Sequence, residues 1–326
     1  RARAIGAPNC SPLFGFAPTG KKSSPVKHPI YDDSRTIFSD YRCMLRLELP
    51  RRATINESPQ LTRLVGEAER EKGPVEFDCS KIEAWGPFGI ALLASSLVVR
   101  ARLGRETHLV EPTDPDALEG LEDTGLIQIA KGEPVGLDGA HVRWIELEPR
   151  TSPRELALSL TASLGAAPAS APPIVEPCLV SLLDNFFEWS ASTVGGFVVV
   201  RWHKKTRQAR FAVVDRGLGI PAVLRRGQVG NLIRLPDVDV IEAAFSDPLA
   251  TSRPGQGKGM GLKQLREHVL GHRGKLTVIS LGAKVSWVGD RISKAPSPAM
   301  HGTAIEIDLS THGSSSSPPS HEEPPS

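Results

Sequence analysis

The sequence predicts an α/β (α+β) fold of two successive domains between disordered ends, and three observations predict it. Short strand-like runs alternate with helical stretches from residue 41 to 150, the order of a small sheet covered by helices. A second set of helix and strand patterns fills 151–310 and carries nearly all the polar motifs. Residues 1–40 and 311–326 show neither period and offer too little apolar surface to offset their ordering entropy. At about 150 residues per domain, 326 residues make two, and 40% hydrophobic content supplies a core to each.

In the first stretch, Cys43 to Leu49 reads as a strand and Ser58 to Glu71 as an amphipathic helix. Pro74 to Asp78 is the next strand, Phe88 to Leu103 a mostly apolar helix, and His108 to Val110 a third strand. Pro115 to Leu126 reads as a helix capped by Asp114, whose carboxylate can accept from first-turn amides. The break from Glu148 to Pro153 closes this pattern and opens another helix. Strand, short loop, apolar helix, strand and then the run from Asp116 to Leu126 together resemble the STAS family of anti-sigma-factor antagonists. In that family a phosphorylatable Ser opens the apolar helix. Here the turn is Ala84-Trp85-Gly86-Pro87-Phe88-Gly89, without a hydroxyl, so the resemblance implies a docking module and not a phosphoacceptor. An unrelated small α/β domain with a Gly-Pro turn fits the same pattern.

Several function classes are excluded early. Lys+Arg 39 against Asp+Glu 37 leaves no global basic field, so no nucleic-acid partner is expected. Cys10, Cys43, Cys79 and Cys178 are far apart and form no C-x-x-C pair, which argues against structural zinc and a disulfide scaffold. The longest near-apolar run, Gly89 to Val99, is too short to cross a bilayer, so no membrane partner and a cytoplasmic location are expected.

The second stretch holds three polar motifs in order. In the helix from Cys178 to Trp189, Leu179, Leu182, Leu183 and Phe186 make an apolar stripe, while Ser181, Asn185 and Glu188 line another edge. An Asn amide oxygen there can coordinate Mg²⁺ beside phosphates. The strand through Phe211 to Val214 then delivers Asp215 into the turn Arg216-Gly217-Leu218-Gly219. A carboxylate so placed can accept from the exocyclic amine of adenine, and the glycines permit positive φ and close approach. Last, Gly255 to Gly261 alternates glycine and runs into a helix, so that amides of Gly257, Gly259 and Gly261, with Lys258, can cradle phosphate. Neither a P-loop nor a dinucleotide fingerprint can be drawn through it. His268 and His272, four apart at a helix end, lack an evident third ligand and read as partners of the helix C-terminus.

Asn185, Asp215-x-Gly-x-Gly, Gly257-x-Gly-x-Gly-Leu and Gly302-Thr303 ahead of a strand resemble the GHKL ATPase superfamily with its two-layer Bergerat fold, over about half the chain. The resemblance implies that Asn185 holds Mg²⁺, Asp215 reads adenine, and Gly217 and Gly219 hinge a lid running from about Val223 to Gln256. It also implies that Gly257, Lys258, Gly259 and Gly261 wrap the phosphates of ATP and that Thr303 sits near the base.

One departure bears on catalysis. Members that hydrolyse ATP or phosphorylate Ser usually carry a Glu one turn before the Asn, and here that position is Ser181. A hydroxyl is no base near neutral pH, and losing a general base costs about 10² to 10⁴ in rate. The compact anti-sigma-factor branch fits best, because no phosphoacceptor His on a helical hairpin precedes the motifs. The expectation is therefore a cytoplasmic ATP-binding regulatory protein in which lid movement switches docking of a protein partner, from a sigma-factor pathway or another regulatory system, with a homodimer possible. Its rivals are a serine kinase or ATPase using a displaced acid such as Glu188, and an interaction scaffold that no longer binds nucleotide.

Overall fold

A computed structural model describes residues 44–122, 124–130, 142–145, 152–162, 174–203, 208–227, 230–246 and 261–310, all within one compact unit. The ends expected to be disordered lie outside the described residues. Mixed α/β architecture holds throughout the rest. The first part runs β1 (Leu45–Glu48), β2 (Arg52–Ala53), α1 (Ser58–Arg70), β3 (Val75–Asp78), β4 (Ala84–Trp85), α2 (Pro87–Arg102), β5 (Thr107–Val110), α3 (Pro115–Glu122) and α4 (Leu126–Ala130). There follow β6 (Val142–Ile145), α5 (Pro153–Ala162), α6 (Val175–Trp189), β7 (Gly196–His203), β8 (Gln208–Asp215) and α7 (Ile220–Arg226). The chain continues with α8 (Asp237–Ser246), α9 (Gly261–Gly271), β9 (Lys275–Val288) and β10 (Arg291–Ser310).

Strands β1, β3 and β5 make a parallel sheet with β3 in the middle, and β2 pairs with β4 in a separate parallel ribbon. Helix α1 buries Leu61, Leu64, Val65 and Ala68 on one stripe, the spacing that makes it a helix. Its C-terminal end is closed by Arg100 of α2, whose fully buried guanidinium donates to the carbonyls of Ala68, Glu71, Gly73 and Glu106 and to Thr107 Oγ1. A buried charge is tolerable only when its donors are taken in this way. Asp114 caps α3 as expected, its Oδ1 accepting from Ala117 N–H at 2.9 Å. The helix stops at Glu122, short of the predicted Leu126. Gly125 adopts φ +69° and Thr124 Oγ1 donates back to the Leu121 carbonyl, which ends the turn before α4 begins.

The second sheet is antiparallel with order β6-β7-β8-β10-β9. Its edge strand β6 comes from the stretch before residue 150 and pairs with β7, Val142 opposite Val199. Phe197-Val198-Val199-Val200 and Phe211-Ala212-Val213-Val214 are apolar at every position, the pattern of strands covered on both faces. Val198, Val200, Phe211 and Val213 pack with α6 to α9 on one face. Phe197, Val199, Ala212 and Val214 pack on the other with Phe88, Leu92 and the rest of the α2 core. Helix α2 is therefore buried from Pro87 to Leu97, held between the parallel sheet and the antiparallel one. None of the described helices is long and apolar enough to cross a membrane.

Polar fasteners cross the same boundary. Glu306 of β10 accepts from Phe88 N–H at 3.0 Å, Arg201 of β7 donates to the Trp85 carbonyl at 3.0 Å, and Lys284 of β9 donates to Ile55 O at 2.7 Å and Ser58 Oγ at 2.9 Å. The Gly86-Pro87 turn opens α2 and is thus packed within the chain. Gly86 N–H donates to Ala53 O at 2.9 Å, and a Cβ on Gly89 would lie 2.1 Å from that same oxygen.

Candidate functional site

Where α6 ends beside the turn after β8, the chain forms a cleft. The helix delivers Asn185 and Trp189 to it, Gly219 and Ile220 come from the start of α7, Leu262 from the start of α9, and Thr303 from β10. Its enclosed part is about 30 Å³, room for a single water, and counted out to its mouth it holds about 390 Å³. Apolar walls with a few convergent polar groups are the composition of a small-molecule site. Trp189 is one of those walls.

Asp215 does not line the cleft; it is 5% exposed and hydrogen-bonds the backbone of the lining residue Thr303. Its Oδ1 accepts from Gly217 N–H at 2.8 Å, and the carboxyl also accepts from Thr303 N–H. Burial pushes its pKa up to about 7, against the pull of those two hydrogen bonds and of the Arg216 charge. A carboxylate has about four lone-pair sites, so two remain for a ligand amine.

The glycines divide by role. Gly219 takes φ +80° and Gly302 φ +92°, while Gly217 has no positive φ. A Cβ on Gly217 would meet Ser190 O at 1.7 Å, and one on Gly302 would meet Asp215 O at 2.0 Å. Gly217 and Gly302 thus let backbone pass backbone, whereas a Cβ on Gly261 would meet open space. Gly257, Lys258 and Gly259 lie outside the described residues.

No protein-family model matches the chain, and no curated protein matches it. Among solved structures, it is similar to the blue-light activated histidine kinase EL346 of Erythrobacter litoralis, at 20% identity over 42% of this chain and 30% of that one, with a TM-score of 0.22. The chain thus spans under a third of that kinase's length, and a likeness of this degree carries no argument about activity.

The cleft's framework depends on a residue that sequence reading misses. Ser280 of β9 is fully buried; its Oγ accepts from Ile220 N–H at 3.0 Å, donates to Gly302 O at 3.0 Å and lies 3.1 Å from Thr303 Oγ1. One hydroxyl thereby ties the start of α7 to the Gly302-Thr303 turn. A lone Ser in an apolar strand gives no signal of this beyond its polarity. Ser280→Ala is expected to cost about 1 to 3 kcal/mol in urea denaturation, because it strands the Ile220 N–H.

Neither Ser181 nor Glu188 lines the cleft: Ser181 is half-buried one turn before Asn185, and Glu188 is exposed. The lid expectation needs correction. Within 223–256, α7 continues to Arg226 and α8 buries Val240, Ile241, Ala244 and Phe245 in the core. Their helical spacing outweighs the Gly and Pro content that points to one long loop. Residues 247–256 lie outside the described residues. At the end of α9, His272 Nδ1 lies 2.9 Å from the His268 carbonyl, a contact with the helix terminus, and among the described residues no group of His, Cys, Asp and Glu could hold a metal.

Proposed function

We propose that the protein binds Mg-ATP in this cleft as a regulatory nucleotide, in the manner of the anti-sigma-factor branch of the GHKL superfamily, with the first stretch as its STAS-like companion. The observation that carries the reading is convergence: Asn185, Gly219, Leu262 and Thr303, drawn from four separate motifs, come together at one cleft, with Asp215 hydrogen-bonded to the Thr303 backbone beside it. The donor set fits the ligand. Trp189, Ile220 and Leu262 offer apolar contact to a purine, Asp215 retains acceptor sites for its amine, and the Asn185 amide oxygen suits a Mg²⁺ that keeps most of its ligands as water and phosphate oxygen. Nucleotide would supply free energy for a conformational change, about 2.7 kcal/mol at 100 times Kd. In this reading bound ATP alters what a protein partner can dock, and turnover is negligible because Ser181 stands where a general base is needed.

Calorimetric titration with Mg-ATP tests it. Wild-type protein is expected to bind saturably, and Asp215→Asn to weaken binding roughly tenfold or more, because one acceptor oxygen becomes an NH2 group that cannot accept from the ligand amine. A phosphate-release assay on the same sample should stay at background. Release abolished by Glu188→Gln would replace this reading with the kinase or ATPase one, and absence of binding would leave an interaction scaffold.

A further inference from the structure

The parallel sheet of the first stretch ends in β5, which pairs with β3 on one side only. Val75 N–H donates to Glu106 O at 3.2 Å and Cys79 N–H to Val110 O at 3.0 Å. Backbone groups alternate along such a strand, so Glu106, His108 and Val110 turn theirs to β3, while Thr107 and Leu109 turn theirs to the open edge. No described residue hydrogen-bonds these outward backbone groups. Beside them lies a hollow of about 560 Å³, lined by Thr107 and Leu109 themselves and walled by Leu97 and Ala101 of α2 and Ile127 and Ala130 of α4.

The two edges of this sheet are built differently. At β1 the same alternation turns Arg46 and Glu48 outward, and both are ion-paired, Arg46 to Asp78 and Glu48 to Lys81. Charge of this kind discourages strand addition. At β5 the outward residues are uncharged, and the edge offers its donors and acceptors to an extended strand. The charges at its ends select which strand. Arg105, just before β5, lines the hollow; its Nη1 donates to the carbonyls of Glu69 and Glu71, and it pairs with no described carboxylate. Glu111, just after β5, also lines the hollow and is exposed. These opposite charges stand three residues to either side of His108, so an antiparallel copy of the same strand centred there meets each with its complement.

We propose that β5 is the interface between two copies of this chain, paired antiparallel about a two-fold axis at His108. In that register Thr107 and Leu109 of one copy exchange both backbone bonds with Leu109 and Thr107 of the other, and Arg105 faces Glu111 at each end. Leu109 of the second copy then lies on the face where Thr107 Oγ1 accepts from Arg100 of α2, beside the apolar wall of the hollow. A register centred on Leu109 instead sets Thr107 against Glu111 and leaves Arg105 without an acid. The interface uses no residue of the nucleotide cleft, so it stands or falls apart from the Mg-ATP reading.

Sedimentation velocity on the full chain at rising concentration tests the proposal, and a dimer is expected. Glu111→Lys, a change at an exposed position, sets like charges opposite each other at both ends and should raise the dimer Kd roughly tenfold with the urea midpoint unmoved. Register is read by diamide oxidation in a chain whose Cys10 and Cys43 are replaced by Ser, since Cys79 and Cys178 are buried. His108→Cys is expected to form an intermolecular disulfide, because that residue opposes itself across the axis, and Glu111→Cys, also exposed, is not. A dimer indifferent to Glu111→Lys, or cross-linking alike at both positions, overturns the proposal. So does a monomer at every concentration, and hydrogen exchange at the Thr107 and Leu109 amides then says what takes the edge: slow exchange assigns it to another segment of this chain, and fast exchange leaves it to a different protein.

Discussion

Gly217→Ala and Gly302→Ala are each expected to lose about 3 kcal/mol or more of folding stability, and Gly261→Ala to change it by no more than about 1 kcal/mol. A Cβ introduced at Gly217 would have to occupy space 1.7 Å from the Ser190 carbonyl oxygen, which is itself the acceptor for Leu218 N–H at 2.9 Å. Neither backbone can yield without breaking that bond. At Gly302 the obstacle is the Asp215 carbonyl at 2.0 Å, and φ of +92° adds a backbone penalty that an L side chain rarely bears. Gly261 meets nothing within 4 Å, and as the first residue of α9 it should tolerate Ala. Urea midpoints with Mg-ATP titrations on the same samples separate two meanings of a glycine motif. If Gly261→Ala folds normally yet binds ATP poorly, that glycine serves the ligand, while Gly217 and Gly302 serve the fold. Near-normal midpoints for Gly217→Ala and Gly302→Ala would contradict the packing described.

These glycines also show what is legible in the sequence. The motifs mark the positions around the cleft because each combines short range with unusual composition: an Asn on an amphipathic helix, an acid followed by spaced glycines, Gly-Thr before a strand. The reason for each glycine is less legible, since the carbonyl that excludes a Cβ at Gly217 comes from Ser190, a neighbour only in space. Ser280, Arg100 and the Arg216 to Glu69 pair escape for the same cause; each is one polar residue in an ordinary local pattern whose partners lie far along the chain. The continuous apolar runs of β7 and β8 read as strands, but their meaning lies in the missing alternation, which requires a cover for both faces. That cover is α2, and the boundary expected near residue 150 hides it. Of the long β9 to β10 hairpin the sequence marks only the strand after Gly302-Thr303; the turn is supplied by Gly289 at φ +54°. In the segment after Val223, Gly and Pro content points to a loop and masks the helical spacing of Val240, Ile241 and Ala244 that builds α8.

The two buried acids make a pH dependence the second large effect expected. Burial raises Glu306 from 4.5 to about 7, opposed by the Phe88 N–H it accepts and by the nearby Arg210 and Lys275 charges. Burial raises Asp215 from 3.8 to about 7. An acid whose pKa is higher folded than unfolded binds more protons in the folded state between those values. Its stabilising contribution is complete below the unfolded pKa and is lost as pH rises through the folded one. Each shift corresponds to about 3 to 4 kcal/mol, so stability should fall by several kcal/mol between about pH 4 and pH 8. Asp78 acts in the opposite sense and in another window. Hydrogen bonds from Ser80 and Arg46 hold it down at about 2, so its contribution is present above 3.8 and is lost as pH falls towards 2. These groups together place maximal stability on the acid side of neutrality. Glu306→Gln isolates the interface, because a neutral amide oxygen can still accept from Phe88 N–H without titrating. Urea denaturation from pH 4 to 8 is expected to show a shallower decline in Glu306→Gln, with a gain of about 2 to 3 kcal/mol at pH 8 and little change at pH 4. The α2 N-terminus works against that gain, since its partial positive charge favours the ionised Glu306. A slope unchanged by Glu306→Gln would mean that this end of α2 holds the carboxylate charged, and that the contact between β10 and α2 is a fixed ion-to-helix bond, indifferent to pH.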